Sequence, residues 1–166
     1  MPKRKERRAF TGVVFSVLMV LTALSISRAG INMHSVLNSP EDYEGRTIVF
    51  DDTLLGGKIV HNHHYGFYCL DVEIQGKHVA GYLYRSQLNF VVFSEEFAKK
   101  LSALLEKGKV QAKEGHEVEL LDHVSHKNAF RVRVTCIIER FQDYWVANVR
   151  KVEIYGKQGA IIETLE

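Results

Sequence analysis

The chain has 166 residues, 46% of them hydrophobic, which is enough to bury one core and gives no sign of a second domain. Its net charge of +2 combines two unlike parts, because residues 1–29 hold six basic residues and one acidic residue. Residues 30–166 hold sixteen basic and nineteen acidic residues, so their net charge is −3, which argues against binding to the phosphate backbone of nucleic acid.

Residues 1–29 have the features of a signal peptide or membrane anchor. The basic start MPKRKERR precedes an apolar run of 17 residues at positions 10–26. A helix of that length spans about 26 Å, the lower limit for a bilayer core, so a cleaved signal and an uncleaved anchor both remain open. Ser27 and Ala29 are small enough to precede a cleavage site after Ala29. In either case we expect an exported domain, periplasmic or anchored in the cytoplasmic membrane and facing outward.

The rest of the chain is predicted to form a linker, one domain and a tail. The linker covers residues 30–38 and the β-rich domain covers residues 39–157. The tail covers residues 158–166 and is expected to form either an extra edge strand or a frayed end. The domain begins with a single helical turn that has Ser39 as its cap and Gly45 as its stop.

Apolar and polar residues alternate along most of the domain, which indicates β-strands. The predicted strands cover residues 46–55, 58–60, 65–74, 78–85, 117–124, 129–141 and 144–155. Gly56 and Gly57 permit a bend or bulge after the first strand. In the last long strand the apolar face changes sides near Arg150, which predicts a second bulge there.

Residues 94–108 carry the signals of an amphipathic helix. Ser94 can cap the first free amides, and Glu95 and Glu96 follow where the helix dipole favours negative charge. Gly108 is expected to end the helix. Apolar residues at steps of four, three and one share a face that needs a sheet to cover it: Phe97, Leu101, Leu104 and Leu105.

The predicted order of elements is strands, then one helix, then further strands. This is the order found in the OB-fold, a small barrel whose open face binds oligonucleotides or oligosaccharides. The segment SPEDYEGRTIV at residues 39–49 resembles the start of the first strand in bacterial OB-like domains of the tRNA-anticodon-binding type. The resemblance covers residues 35–157. It implies an all-β barrel of five to six strands with one capping helix, preceded here by an N-terminal hydrophobic signal or anchor helix.

The sequence HNHHY at residues 61–65 is the densest group of candidate metal ligands, in a predicted loop. In an extended chain His61 and His63 point the same way, and with His64 they can begin a zinc or copper site. A solvated polar loop is the alternative. Further candidate ligands are His78, His116, His123, His126, Asp51 and Asp52.

Aromatic and basic residues on the predicted strands suggest a ligand face, because OB-folds stack bases on aromatic rings in a basic groove. The candidates are Phe67, Tyr82, Tyr84, Arg131 and Arg133. Asp71 and Glu73 share the face of Phe67 and would repel phosphate. The alternative is that the aromatic rings are packing residues and the charges a solubilising surface.

The two cysteines are predicted to lie on opposite strand faces. Alternation places Cys69 outward with Asp71 and Glu73, and Cys136 inward with Val132 and Val134. Opposite faces cannot meet without distortion of the backbone, so a disulfide is not expected.

The sequence offers no set of residues for catalysis. Ser39 and Ser94 are explained as helix caps, and the neighbours Asp51 and Asp52 are expected to face opposite ways. We therefore predict a non-enzymatic binding or interaction module of the cell envelope, without a cofactor. The expected partners are the membrane, if the leader is uncleaved, and an envelope protein. The alternatives are a protein that binds a metal or small ligand through residues 61–65, or an OB face for single-stranded nucleic acid or oligosaccharide.

Overall fold

The computed structural model describes residues 31–115, 120–121 and 129–166. The predicted leader and most of the strand predicted at residues 117–124 lie outside these residues. Within the described ranges, no helix has the length and apolar character needed to cross a membrane. The residues from Met33 to Glu166 form one compact unit.

The described elements begin with a helix and continue mainly as strands. In chain order they are α1 (Met33–Asn38), a short 3-10 helix (Pro40–Tyr43), β1 (Thr47–Asn62), β2 (Phe67–Ile74), β3 (Lys77–Val79), β4 (Leu88–Val92), α2 (Glu95–Lys113), β5 (Leu120–Leu121), β6 (Ala129–Phe141), β7 (Tyr144–Tyr155) and β8 (Ile161–Leu165).

Five of these strands close into a barrel. β1 pairs antiparallel with β2 and β6, β2 pairs antiparallel with β4, and β7 completes the circle by pairing with β4 in parallel and with β6 antiparallel. The short strands β3, β5 and β8 extend β2, β6 and β7. The prediction of a mostly β fold with a barrel and a capping helix is therefore confirmed.

The interior of the barrel is apolar, and α2 packs against it. The rings of Phe50 and Phe90 meet edge to face with their centroids 5.1 Å apart. α2 contacts β1, β2, β4 and β8, and it buries Leu101 and Leu105 completely, while Leu104 is half-buried. The Ser94 hydroxyl accepts a hydrogen bond from the Phe97 amide at 3.1 Å, as expected of the N-cap.

Both predicted bulges are present. The pairing of β1 with β2 shifts between Leu55 and Ile59, at the two glycines. Along β6 and β7, Thr135 pairs with Lys151 and Cys136 with Val149, so Arg150 is the extra residue of the second bulge. β6 and β7 have the predicted bounds, and β8 forms the edge strand that was one of two alternatives for the tail.

The predicted end of α2 at Gly108 is wrong, because the helix continues to Lys113. A Cβ atom on Gly108 would lie 2.6 Å from Cε1 of Phe130. The glycine therefore allows a strand residue to pack closely against the helix backbone, and it has no capping role.

Three further predictions need correction. The strand expected at residues 78–85 stops at Val79, and residues 80–87 form a loop. β4 therefore occupies the barrel position, next to β2, that this strand was expected to fill. Ser39 makes no side-chain capping bond to the 3-10 helix. His61, which was expected in a loop, lies in β1. Residues 33–38 of the expected linker form α1, whose Val36 and Leu37 are buried.

Candidate ligand surface on the outer side of the barrel

β2 is buried on both of its faces. Leu70 faces the barrel interior, whereas Phe67 and Cys69 lie on the outer face, and all three are buried. Phe67 and Cys69 join Val91 of β4 and Val146 of β7 in a second apolar cluster. The side chains that pack over this cluster are Tyr65, Leu83, Phe141 and Tyr144.

Aromatic rings cover this outer cluster. We call the following set the aromatic patch: Tyr65, Phe67, Tyr82, Tyr84, Phe93, Phe141 and Tyr144. The rings of Tyr65 and Phe67 are stacked at 5.8 Å with an angle of 8° between their planes. Phe141 meets both edge on, at 5.6 and 5.3 Å, and Phe93 lies 5.4 Å from Phe67. Each such ring pair adds about 0.5–1.5 kcal/mol to the energy of burial, so these four rings hold one another in position.

Two turns place aromatic residues in the patch. In the turn after β1, the Asn62 side-chain oxygen accepts hydrogen bonds from the amides of His64 and Tyr65, both at 3.2 Å. Gly66 closes this turn with a φ of 73°, a conformation that favours glycine. Phe141 and Tyr144 are directly paired across the turn between β6 and β7.

The loop of residues 80–87 is attached to the patch by Asn89. Its side-chain oxygen accepts a hydrogen bond from the Tyr84 amide at 2.8 Å. Its side-chain nitrogen donates to the carbonyl oxygens of Tyr84, Gln87 and Trp145 at 2.9, 2.9 and 3.0 Å. Leu83 packs inward on the cluster, and its neighbours Tyr82 and Tyr84 are left 59% and 49% exposed.

Polar groups at the rim of the patch are paired. A hydrogen bond between the side chains of Tyr65 and Tyr144 raises the pKa of Tyr65. Arg85 lies 6.0 Å from the ring centre of Tyr144 and forms an ion pair with Asp143 at 3.2 Å. This rim therefore presents balanced charge and not a positive groove.

The predicted histidine cluster lies beside the patch. His61 is stacked on Tyr68, with ring centroids 4.5 Å apart, and its ring is 4.3 Å from that of His63. His64 points elsewhere and meets the ring of Tyr65 edge on at 4.4 Å. His61 and His63 thus form a contacting pair, whereas the ring of His64 contacts Tyr65.

Among the described residues, the candidates for completing a metal site do not gather around this pair, because no group of three or more His, Cys, Asp or Glu side chains there is placed to hold a metal ion. Nε2 of His78 is hydrogen-bonded to a carboxylate oxygen of Asp71 at 2.7 Å. His116, His123 and His126 lie outside the described residues.

The five residues predicted as a ligand face fall in two places. Tyr82 and Tyr84 are exposed, and Phe67, expected to be outward, lies on the outer face but is fully buried beneath other rings. Arg131 and Arg133 lie eight or more residues before Phe141 on β6, which corresponds to about 27 Å along a strand. Both arginines therefore lie far along β6 from Phe141, the residue that this strand contributes to the aromatic patch.

Arg131 and Arg133 belong to an ion-pair network with Asp51 and Asp52. Arg133 contacts Asp51 at 3.0 Å, and Arg131 contacts Asp52. The prediction that the two aspartates face opposite ways is wrong, because the pairing of β1 with β6 shifts at this point and Asp52 adopts a φ of 53°. The Tyr155 hydroxyl also donates to Asp51, at 2.5 Å. The network therefore joins side chains from three strands, β1, β6 and β7.

Both cysteines are buried and have free thiols. Cys136 faces the barrel interior, as predicted, and its Sγ atom is 3.7 Å from the Ile48 carbonyl oxygen. Cys69 lies on the outer face, as predicted, but the aromatic patch covers it. Burial raises the pKa of Cys69 to about 11 and raises that of Cys136 as well, so both thiols are poor nucleophiles at neutral pH.

Sequence reasoning missed Phe93, Phe141 and Tyr144 as surface-forming residues. A signal was present, because aromatic residues stand on both sides of two predicted turns: Tyr65 and Phe67 around Gly66, and Phe141 and Tyr144 around residues 142 and 143. Turn residues at one end of a barrel come together, which would have placed these rings side by side.

Scans of the chain against protein-family models, curated proteins and solved structures find no match. The aromatic patch and its charges are therefore the observations from which a function can be argued.

Proposed function

We propose that the protein is a non-enzymatic binding module of the cell envelope and that its ligand lies on the aromatic patch. The observation that carries this proposal is the exposure of Tyr82 and Tyr84, 59% and 49%, on either side of Leu83, which packs on the outer cluster. Large aromatic rings fixed in position give much contact area at little cost in conformational entropy, which is why tyrosine is common among the dominant residues of binding interfaces.

The proposed fold type agrees with this location. We infer an OB-type barrel because α2 lies between β4 and β6, and because β4 is parallel to β7. In OB-folds the ligand contacts the second and third barrel strands and the loops that connect strands one to two and four to five. The corresponding parts here are β2, β4, the turn at residues 63–66 and the turn at residues 142–143. They contain or directly flank five of the seven residues of the aromatic patch: Tyr65, Phe67, Phe93, Phe141 and Tyr144.

The charges around the patch favour a protein partner over a nucleic acid. Arg85 at the rim of the patch is paired with Asp143 at 3.2 Å, so this cation is already neutralised. An aromatic centre with a polar rim is typical of protein–protein interfaces. The predicted export of the domain makes an envelope protein the partner we propose.

Site-specific photo-crosslinking in the full-length protein tests this proposal. A benzophenone amino acid replaces Tyr84 in one variant and Val110 in a matched control, since Val110 is 55% exposed but lies on α2 fifteen residues beyond Glu95. We expect one reproducible polypeptide adduct from position 84 in native membranes, identified by mass, and its absence from position 110.

The same experiment separates the alternatives. Adding Tyr82→Ala to the crosslinking variant should weaken the adduct if the patch itself is bound. An adduct that contains sugar would favour the oligosaccharide alternative, and a nucleotide adduct that disappears with salt would favour single-stranded nucleic acid. Identical adducts from positions 84 and 110, or no adduct from position 84, would contradict the proposal.

A further inference from the structure

His61 and His63 bring two imidazole rings into contact at the end of β1. Residues two apart in an extended chain project to the same side, and here the two rings meet edge to face with their centroids 4.3 Å apart and an angle of 78° between their planes. His61 is half-buried and His63 is exposed, so an ion can reach both from solvent. Rotation of the exposed His63 ring about its side-chain bonds would let each ring direct a nitrogen at one ion.

Contacts that need no metal hold this pair in place. The ring of His61 is stacked on Tyr68 at 4.5 Å, which limits its rotation. The turn that carries His63 is fixed by Asn62, whose carbonyl oxygen also accepts a hydrogen bond from the Gly66 amide at 2.8 Å. Such preorganisation lowers the entropy that ion binding would otherwise cost.

A pair of opposite charges on α2, Glu95 and Lys99, lies close enough to His61 for Glu95 to interact with it electrostatically. The Glu95 carboxylate favours a cation near His61, and Lys99, paired with Glu95 at 2.6 Å, opposes this attraction. Both side chains are exposed and free to adjust when an ion binds.

We propose that His61 and His63 bind one divalent transition-metal ion, with Cu²⁺ preferred over Ni²⁺ and Zn²⁺. Imidazole nitrogens suit all three ions, and the general order of affinity places Cu²⁺ first. Because no third protein ligand stands within the described residues, water completes the coordination, which a tetragonal Cu²⁺ ion accepts more readily than a structural zinc site does. This site does not depend on what the aromatic patch binds.

The test is titration of the full-length protein with copper(II) chloride at neutral pH, followed by calorimetry and electron paramagnetic resonance. We expect one Cu²⁺ per chain above the background of the double variant His61→Ala/His63→Ala, with two nitrogen ligands in the spectrum. The double variant should lose at least about tenfold in affinity, since loss of even an outer-shell partner of a metal ligand costs that much.

His64→Ala is the matched control, because His64 lies in the same turn but its ring contacts Tyr65. This variant should keep both the affinity and the two-nitrogen signal, and Glu95→Gln should weaken binding less than loss of either His61 or His63. Equal copper binding by wild type and the double variant would overturn the proposal. So would a His64→Ala protein that loses as much affinity as His61→Ala.

Discussion

Asn89 is 1% exposed, and the hydrogen bonds of its side chain join the loop of residues 80–87 to β7. We predict that Asn89→Asp lowers the free energy of unfolding by about 3 kcal/mol, because an acceptor-only carboxylate would then face the carbonyl oxygens of Tyr84, Gln87 and Trp145. Chemical denaturation followed by the fluorescence of Trp145 measures the change.

Asn38→Asp is the control for this substitution. The Asn38 side-chain oxygen accepts a hydrogen bond from Lys77 at 2.6 Å, so a carboxylate keeps the bond and adds a favourable charge. We expect the stability of this variant to equal or slightly exceed that of the wild type. If the Asn89→Asp and Asn38→Asp proteins unfold at the same denaturant concentration, Asn89 does not hold the loop in the way described.

Among the elements, α2 contains a glycine, Gly108, whose replacement by alanine should destabilise the protein, whereas the same change in most helices stabilises it. In most exposed helix interiors, Gly→Ala stabilises by about 1 kcal/mol. At Gly108 the new Cβ atom would overlap the ring of Phe130, so we predict that Gly108→Ala destabilises the protein by about 1–3 kcal/mol.

The Phe130→Leu background provides the control for the helix. The smaller side chain leaves room for the added methyl group, so Gly108→Ala should cost less there than in the wild type. Thermal unfolding of the four proteins in this double-mutant cycle measures the interaction. Gly108→Ala with equal effects in both backgrounds would show that the ring of Phe130 is not the reason for the glycine.

How well the sequence predicts each element depends on where its stabilising contacts come from. β6 and β7 alternate clearly and are joined by a short turn, so local pattern suffices for their bounds and for the bulge at Arg150. The burial of Cys69 is different, since it depends on Phe141 and Tyr144, which follow more than seventy residues later. The need for a glycine at position 108 of α2 likewise depends on a ring from β6.

The candidate surface could be predicted only in part for the same reason. Tyr82 and Tyr84 were predicted to share the face of a strand; they are exposed, but they lie in the loop of residues 80–87. Arg131 and Arg133 were predicted for the same ligand face, and the bulge at Asp52 turns two carboxylates toward them. A shift of one residue in strand register changes which side chains meet, and alternation along a single strand does not reveal it.

For the molecule as a whole, Asp51 links three strands of the closed barrel, because its carboxylate on β1 contacts Arg133 of β6 and Tyr155 of β7. Partial burial acts to raise the pKa of Asp51, but the hydrogen bonds from Arg133 and Tyr155 outweigh it and hold the pKa below the ordinary value of 3.8. A carboxyl with a lowered pKa stabilises the folded state above its unfolded pKa, and this contribution is lost as pH falls through the folded pKa.

We therefore predict that wild-type stability falls below pH 3.8 more steeply than that of Asp51→Asn, which is less stable at neutral pH but lacks this titration. Unfolding by urea at neutral and acid pH measures both differences. Asp143→Asn serves as the control, because its ion pair with Arg85 is exposed and such pairs contribute little. Its loss of stability in acid should match the wild type. If Asp51→Asn instead shows the full acid dependence, the network around Asp51 does not tie the barrel strands together, and the acid-labile contacts lie elsewhere.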